Sequence, residues 1–229
     1  MSVDGFSQRV ASAVRELQAQ HGQQDTMVRA VGLAVDLVPG CDFAAVTEVR
    51  ARGVGVLAAS DERLEALVAL QHELEEGPCL TAAETRDAVV SDEVATDPRW
   101  PAWGDRAHGG LGLRSVMSQP LFTTGGNLGV LNLYSVSGAA FAPEHVFEDG
   151  STLAAHVSVA LAAARNAEQL EVAIASRTVI GQATGIIMER YDLAPDLAFG
   201  VLARLSQQTE RKVRDLADEL VRTRVLPQH

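Results

Sequence analysis

The order of apolar and polar positions divides the chain into a helical start, a central group of short strands and a long helical end. Apolar side chains recur at helical spacing within residues 4–38, where Gly22 separates two runs and Pro39 with Gly40 closes the second. We therefore predict two helices before the first strand.

Short apolar segments that are rich in β-branched residues follow, and such segments are typical of strands. Residues 42–49 and 53–60 predict a hairpin. Residues 61–73 predict a helix that Asp61 helps to cap. The helical pattern then breaks at residues 76–80 (EGPCL), so we expect irregular structure there.

Three more strands are predicted at 87–94, 113–122 and 127–136, with a turn at 123–127 between the last two. A mixed insertion at 96–110, with two Pro, two Trp and several Gly, separates the first two of these strands. Helices, then an antiparallel meander with an insertion, then another helix predict an α+β fold.

From Pro143 onward the pattern is helical throughout. Apolar residues recur every seven positions, at Val146, Leu153, Ala160, Ala167 and Ile174. Small residues in such a repeat are typical of a coiled-coil seam, where two helices approach closely. We expect the first half of this helix to pack on the chain's own sheet. We expect the second half to pair with another chain, which makes the protein a homodimer.

Two amphipathic helices end the chain. Residues 196–206 (DLAFGVLARLS) and 211–222 (RKVRDLADELVR) place apolar residues at i, i+3, i+4 and i+7. Pro195 suits the first position of the first helix, and Thr209 can cap the second. Residues 170–224 therefore predict three helices joined by short turns.

Two glycines stand out inside the predicted long helix. Gly181 and Gly185 are four residues apart, and each costs a helix interior about 1 kcal/mol relative to Ala. Both lie on one stripe of the helix, so they predict a close neighbour. Another helix is one candidate for that neighbour. A ligand that touches Gly181, Gln182 and Thr184 is the other.

The charge is distributed unequally along the sequence, whose formal net charge is −11. Residues 1–164 hold 10 Arg and 21 acidic residues, whereas residues 165–229 hold 9 basic and 9 acidic residues. This contrast predicts two domains with those bounds. The acidic first part should repel nucleic acid, so any nucleic-acid contact is expected in the second part.

Cysteine usage and the ends of the chain bear on where the protein works. The two cysteines, Cys41 and Cys79, form neither a disulfide framework nor a Cys-x-x-Cys metal signature. The first ten residues lack the pattern of a signal peptide, and the most apolar helical run, 153–164, is too short to span a bilayer. We expect a cytoplasmic protein in a reducing compartment.

The segment SRTVIGQATGIIMER…DLAFGVLARLSQQTERKVRDLADELV resembles the ANTAR (antitermination regulator) domain. The family pattern is an R-x-x-I-x-Q-A-K-G-I-L-M helix, then an A-F-x-x-L-x-x-x-S helix and a K-L-x-D-x-A-x-x-[IL]-V helix. The residues that match it are Arg177, Ile180, Gln182, Ala183, Gly185, Met188, Ala198, Phe199, Leu202, Ser206, Lys212, Asp215, Ala217 and Val221. ANTAR domains bind paired stem-loops in nascent messenger RNA as dimers and prevent transcription termination.

The resemblance, together with the basic residues near the start of the last helix, predicts an RNA-binding set. Its members are Arg177, Gln182, Thr184, Gly185, Ser206, Arg211, Lys212 and Arg214. Arg211 and Arg214 are three residues apart and share a helix face, so they are the better pair for phosphate. Two positions depart from the pattern, since Thr184 replaces the usual Lys and Glu210 replaces a common amide.

The first part of the chain resembles the GAF domains that precede ANTAR domains in actinobacteria. The matching segments are EGPCL (76–80), DPRWPAW (97–103), LRSVMSQPL (113–121) and LGVLNLYS (128–135). The resemblance implies a sensory domain that binds a small molecule or dimerises, followed by a signalling helix and a three-helix ANTAR bundle. Cys79, Trp100, Trp103 and Arg114 are the candidates to line a ligand site, and neither ligand nor cofactor can be named.

Other functions stay open at this point. The three final helices could instead bind duplex DNA, as in a DNA-binding transcription regulator. One GAF subfamily reduces methionine sulfoxide with cysteine thiols, which would make Cys79 catalytic and leave Cys41 as its only partner. The basic residues could also be a solvated face, each paired with Glu210, Asp215, Asp218 or Glu219. We favour an RNA-binding antitermination regulator that is not an enzyme.

Overall fold

The computed structural model describes residues 3–50, 53–123 and 126–226. Thr124 and Gly125, in the predicted turn at 123–127, lie outside the described residues. The chain divides into two compact units, Met1–Arg165 and Asn166–His229. We call them the N-terminal unit and the C-terminal unit.

The described residues include eight α-helices and five strands. The helices are α1 (Val3–Gln18), α2 (Gln23–Leu37), α3 (Arg63–Leu74), α4 (Pro78–Thr85), α5 (Pro101–Leu111), α6 (Glu144–Tyr191), α7 (Pro195–Thr209) and α8 (Val213–Thr223). The strands are β1 (Phe43–Arg50), β2 (Gly53–Ala59), β3 (Val89–Ser91), β4 (Ser115–Thr123) and β5 (Gly126–Ser135), with a 3₁₀ turn at Val94–Thr96.

The strands form one antiparallel sheet in the order β2-β1-β5-β4-β3. The α+β class predicted from the sequence is therefore confirmed. Successive residues of a strand face opposite sides of the sheet, and both sides are covered here. On β5, Leu131 and Leu133 join one buried cluster, whereas Val130 and Tyr134 join the other.

Helices α1, α2 and the start of α6 supply the first of these clusters. Val146, Leu153, Val157 and Ala160 of α6 are buried in it, which confirms that the first half of this helix packs on the chain's own sheet. Helices α3, α4 and α5 cover the opposite face of the sheet, where Trp103 is fully buried. The sheet thus forms the middle layer of three.

Two helices form where the sequence predicted irregular structure. Pro78 and Pro101 each occupy the first helical position, of α4 and α5 respectively, where a missing N–H costs nothing. The expectation for EGPCL was therefore wrong beyond Gly77, and most of the insertion after Pro101 is helical. The strand predicted at 87–94 is also shorter, because only Val89–Ser91 pair with β4.

Side chains bind a backbone carbonyl on each outer strand of the sheet. In β2, Leu57 is the extra residue at a β-bulge, and its carbonyl accepts a hydrogen bond from Gln24 Nε2 at 3.0 Å. In β3, the carbonyl of Val90 accepts from Arg99 Nη2 at 2.6 Å. Both carbonyls are thereby satisfied by side chains from other parts of the chain.

The C-terminal unit packs the last part of α6 against α7 and α8. Its buried residues are Ala183, Ile187, Ala198, Leu202, Leu216, Ala217 and Leu220. Pro195 occupies the first position of α7, as predicted. Thr209 does not cap α8, because its hydroxyl donates to the carbonyl of Leu205 at 2.7 Å and Lys212 takes the cap position.

The glycine stripe is open within the part of the chain that the structure describes. Apart from the backbone of their own helix, no atom lies within 4 Å of where a Cβ would stand on Gly181 or Gly185. The expected close neighbour is therefore not another helix of this chain. Ala167 and Ile174, from the second half of the seven-residue repeat, are also exposed.

Candidate nucleic-acid interface

The solvent face of α8 and the turn before it carry a dense mixture of charges. Because α8 is amphipathic, its apolar side meets the core of the unit and its charged side faces water. That charged side borders α6, and the two helices enclose a cleft of about 530 Å³. Ala175, Val179, Arg211, Arg214, Asp215, Asp218, Glu219 and Arg222 line it, and we call it the Arg211 cleft.

Ion pairs already occupy part of the Arg211 cleft. Arg211 Nη2 lies 2.6 Å from Glu219 Oε2, and Arg214 Nε lies 3.6 Å from Asp215 Oδ1. Asp218 and Arg222 form no ion pair with another described residue. The face therefore matches the expected solvated arrangement in part, with one close ion pair and one loose pair.

A second cleft, of about 760 Å³, lies between α6 and the end of α8. Gln182, Gly185, Ile186, Glu189, Arg190, Val221 and Arg224 line it, and we call it the Gly185 cleft. Arg190 Nη2 donates to the carbonyl of Arg224 at 2.7 Å, which ties the end of α8 to α6. The backbone at Gly185 faces this space without a covering side chain.

The predicted RNA-binding residues do not form one site. Arg211 and Arg214 line the Arg211 cleft, whereas Gln182 and Gly185 line the Gly185 cleft, and the two clefts share no residue. The Ser206 hydroxyl donates to the carbonyl of Arg211 at 2.5 Å. Ser206 therefore supports the turn that carries the Arg211 side chain.

The remaining members of the predicted set are Arg177, Lys212 and Thr184. Arg177 and Lys212 are exposed and form no ion pair within the described ranges. The Thr184 hydroxyl donates to the carbonyl of Ile180 at 2.8 Å, so it serves the helix itself. Arg177, Gln182 and Lys212 are thus the members of the predicted set whose exposed side chains have no partner among the described residues.

Three arginines that line the clefts were not in the predicted set. Arg222 lies in the Arg211 cleft, and Arg190 and Arg224 lie in the Gly185 cleft. Helical spacing alone does not identify Arg222, because Arg211 precedes the cap residue of α8 and the two do not share one regular helix. No sequence signal joins Arg190 to Arg224, because only the packing of α8 on α6 brings them together.

The N-terminal unit gives its candidate residues a different setting. Cys79 is fully buried, and its Sγ lies 2.9 Å from Thr47 Oγ1, which accepts a hydrogen bond from Asn132. Burial raises the pKa of Cys79 to about 11, although the hydrogen bonds oppose the shift. Burial also raises the pKa of Cys41, to about 12. Neither thiol has the lowered pKa of a catalytic thiol.

Hydrogen bonds interlock the two motifs around Cys79, EGPCL and DPRWPAW. The Glu76 carboxylate accepts from the backbone N–H groups of Ala102 and Trp103, so it caps α5. The indole N–H of Trp100 donates to Thr81 Oγ1 at 3.0 Å, and that of Trp103 donates to the carbonyl of Leu67 at 3.2 Å. These motif residues therefore hold α3, α4 and α5 together.

Arg114 lies outside this buried cluster. Its side chain is exposed, and its Nε and Nη2 both donate to Glu93 Oε2, at 2.9 and 2.6 Å. Near Cys79, two buried polar atoms, Gln71 Nε2 and Tyr134 Oη, have no hydrogen-bond partner among the described residues. Polar groups of this kind are what a buried small molecule or water would satisfy.

Metal ions and membranes are two other classes of partner. Across residues 3–50, 53–123 and 126–226, no group of three or more His, Cys, Asp or Glu side chains is placed to hold a metal ion. Over the same ranges, no helix combines the length and the apolar character that crossing a bilayer requires. The 48 residues of α6 carry too many polar side chains for that.

Two protein-family models match this chain in succession. The model described as the GAF domain matches residues 1–162, which is well over half of the sequence. The model described as the ANTAR domain matches residues 168–221. No curated protein matches the chain.

Solved structures share the fold at low sequence identity. The GAF domain of a phosphoenolpyruvate-protein phosphotransferase from Coxiella burnetii has a TM-score of 0.58 at 16% identity, over 72% of this chain and 96% of that one. A free methionine-R-sulfoxide reductase from Neisseria meningitidis has a TM-score of 0.55 at 16% identity, over 71% and 91%. The bacteriophytochrome RpBphP3 from R. palustris has 0.63 at 14% identity, over 92% and 46%. Similarity at such low identity shows a shared fold, and a shared fold does not establish a shared function.

Proposed function

We propose, since this chain belongs to the GAF domain family and carries an ANTAR domain at residues 168–221, that it is an RNA-binding regulator of transcription antitermination. Residues 1–164 are the sensory domain in this proposal, and residues 165–229 are the RNA-binding domain. The RNA partners are stem-loops in nascent messenger RNA, so the protein works in the cytoplasm.

The observation that carries the proposal is the placement of arginines around α8, within the ANTAR match and in the three residues directly after it. Arg211, Arg214 and Arg222 line one cleft beside α6, and Arg190 and Arg224 line the next. Guanidinium groups are suited to phosphate, because they donate in a planar fork. Gln182 is exposed beside Gly185 and is free to contact the loop of a hairpin. Arg177, Thr184, Ser206 and Lys212 complete the proposed set.

A homodimer completes the proposed regulator. Beyond the part of α6 that packs on the sheet, Ala163, Ala167, Leu170 and Ile174 follow one another at spacings of four, three and four residues. Leu170 is 62% exposed and Ile174 is 57% exposed, so this stripe has no cover within the described chain. Pairing with the same stripe of a second copy buries it as a coiled coil. Light scattering that gives a monomer at micromolar concentration would contradict this assembly.

The N-terminal unit senses a signal in this proposal. The buried atoms Gln71 Nε2 and Tyr134 Oη, next to Cys79, support a small polar ligand in the interior, with Trp100 and Trp103 around it and Arg114 near the surface. Mass spectrometry of small molecules that co-purify with the native protein tests this part. We propose no catalytic role for Cys79, because a buried thiol with a raised pKa is a poor nucleophile.

One binding experiment tests the RNA assignment. The full-length protein is titrated against an RNA that contains two stem-loops and against a DNA duplex of the same sequence, at equal salt. We expect tight, salt-dependent binding to the RNA and at least tenfold weaker binding to the duplex. Equal or tighter binding to the duplex would make the protein a DNA-binding regulator instead.

A further inference from the structure

We propose that the Arg211 cleft is a phosphate site whose occupant in the free protein is the chain's own Glu219. In this inference, which rests on the proposed RNA-binding function, an RNA phosphate replaces the Glu219 carboxylate at the Arg211 guanidinium. Glu219 thereby sets the affinity and the selectivity of the site. Arg222 is the second cation of the site, and it can bind a phosphate without first releasing a carboxylate.

The charges of the cleft are balanced before RNA arrives. Three arginines face three carboxylates across the lining, namely Arg211, Arg214 and Arg222 against Asp215, Asp218 and Glu219. A cleft with no net charge does not attract a polyanion by its long-range field. Binding therefore depends on local exchange of partners, in which an arginine leaves a carboxylate and takes a phosphate.

The Arg211–Glu219 pair is the one that such an exchange must break. Its atoms are 2.6 Å apart, whereas Arg214 and Asp215 are separated by 3.6 Å. Carboxylate and phosphate oxygens accept hydrogen bonds from the same guanidinium donors, so they compete for Arg211. Both side chains of the pair are partly exposed, and an exposed pair shifts an equilibrium by only about one- to fivefold. Glu219 is therefore close enough to hold the Arg211 guanidinium in the free protein, and the ion pair is weak enough for a phosphate to displace Glu219.

The backbone beside Arg211 supports a fixed position for its side chain. The Ser206 hydroxyl donates to the Arg211 carbonyl at 2.5 Å, which anchors the turn between α7 and α8. Arg222 projects from the other end of α8 into the same cleft and has no ion pair with another described residue. A ligand with several phosphates can engage Arg222 first and then displace Glu219, whereas a single phosphate ion gains too little from either step alone. The site therefore favours a nucleic-acid backbone over inorganic phosphate.

The experiment compares two neutralising substitutions on the same helix face. Glu219→Gln removes the carboxylate that holds Arg211, and Asp218→Asn removes a neighbouring charge that forms no ion pair with a described residue. Both proteins are titrated, at full length, with a two-hairpin RNA across a salt series. We expect Glu219→Gln to tighten binding about two- to fivefold more than Asp218→Asn, because only the first frees Arg211. Circular dichroism at 222 nm serves to verify that both variants keep the parent's helical content and melting.

A double-mutant cycle gives the decisive readout. Arg211→Ala should weaken RNA binding more in the Glu219→Gln protein than in the parent. In the parent, the phosphate contact of Arg211 forms only at the expense of the Arg211–Glu219 ion pair, so its loss costs less binding free energy. Arg222→Ala should flatten the salt slope by about 0.7 in both backgrounds.

If the protein binds the hairpin RNA but Glu219→Gln and Asp218→Asn change its affinity equally, without coupling to Arg211→Ala, the exchange of Glu219 for phosphate is overturned. The proposed RNA-binding function would still stand. Absence of hairpin binding in every variant would overturn both. The same coupling pattern on duplex DNA, at equal affinity, would overturn the choice of RNA.

Discussion

The two units differ in how far their family-pattern residues face the core. In the N-terminal unit, Glu76, Cys79 and Trp103 face inward and make contacts that hold three helices on the sheet. In the C-terminal unit, Gln182 and Phe199 match the family pattern just as well, yet both are exposed, Phe199 by 46%. Other residues of the C-terminal pattern are buried, among them Ala183, Ala198 and Leu202. The family pattern therefore marks mainly packing in the N-terminal unit but both packing and open surface in the C-terminal unit, and burial distinguishes the two.

Removing an inward-facing pattern residue should have the largest effect. Trp103→Ala deletes a fully buried indole and its hydrogen bond to the Leu67 carbonyl, so we expect a loss of about 3–5 kcal/mol in the stability of the N-terminal unit. Phe199→Ala is the matched change in the other unit and should cost well under half as much. Denaturant titration checks both variants: circular dichroism at 222 nm follows both units, and Trp fluorescence follows the N-terminal unit alone, because both tryptophans, Trp100 and Trp103, lie there. Equal losses of stability in the two variants would contradict this difference between the units.

Thiol chemistry tests the same contrast through reactivity. Because burial raises the pKa of Cys79 from 9.0 to about 11, its thiolate fraction at pH 8 falls about 100-fold, and its burial blocks reagents as well. We expect neither Cys79 nor Cys41 to be labelled by a disulfide reagent in the native protein, and both to react after unfolding. Rapid labelling of native Cys79, followed by turnover of methionine sulfoxide, would reinstate the thiol-reductase alternative.

Charge removal at the open surface should act on binding and leave stability nearly unchanged. Replacing both Arg211 and Arg214 by Ala removes two phosphate contacts, so the salt slope of hairpin binding should flatten by about 1.4 and affinity at 0.1 M salt should fall about tenfold. Gln182→Ala should relax discrimination between loop sequences with little change in slope, because it contributes no charge. An unchanged slope in the double variant would mean that these arginines are only solvated.

The smallest effect is expected at Gly185, and a matched glycine substitution in the N-terminal unit changes stability in the opposite direction. Gly185→Ala should stabilise the C-terminal unit by about 1 kcal/mol, since a Cβ there meets no other part of the described chain and Ala favours helix. Gly104→Ala is the control in the N-terminal unit, where a Cβ would lie 1.9 Å from the carbonyl oxygen of Val94 and must destabilise α5. Helical melting curves measure both changes. Destabilisation by Gly185→Ala would reveal a close neighbour of this position in the assembled protein.

Periodic features of the sequence predicted much of this fold. Helix α6, the amphipathic α7 and α8, and the strands β1, β2, β4 and β5 follow from apolar spacing, because spacing reports directly which face is buried. The sequence did not predict helices α4 and α5, because a segment rich in Pro and Gly indicates a turn as readily as the helix start that Pro78 and Pro101 provide. The capping of α5 by Glu76 joins residues 26 positions apart, and no local pattern reveals it.

The candidate site was predictable only as a set of residues and not as an arrangement. Arg211 and Arg214, which the sequence placed on one helix face, do line the same cleft, although Arg211 precedes the cap residue of α8. Helical spacing could not show that Gln182 and Gly185 belong to another cleft, since that depends on where α8 crosses α6. The sequence named Glu219 as one of four possible acidic partners but could not select it, because an ion pair between residues eight apart depends on the turn that precedes α8.

The side chains of Gln24 and Arg99 also bear on whether copies of this protein can associate through the edges of their sheets. An outer strand with unsatisfied carbonyls invites a strand of another molecule to add to the sheet, which is a route to aggregation. Gln24 occupies the carbonyl at the bulge of β2, and Arg99 occupies one on β3. A strand that adds at β2 would have to displace Gln24, and a strand that adds at β3 would have to displace Arg99, so intermolecular β-pairing is disfavoured at both edges. Association through helices then remains the easier route, and it leaves the sheet of each copy intact.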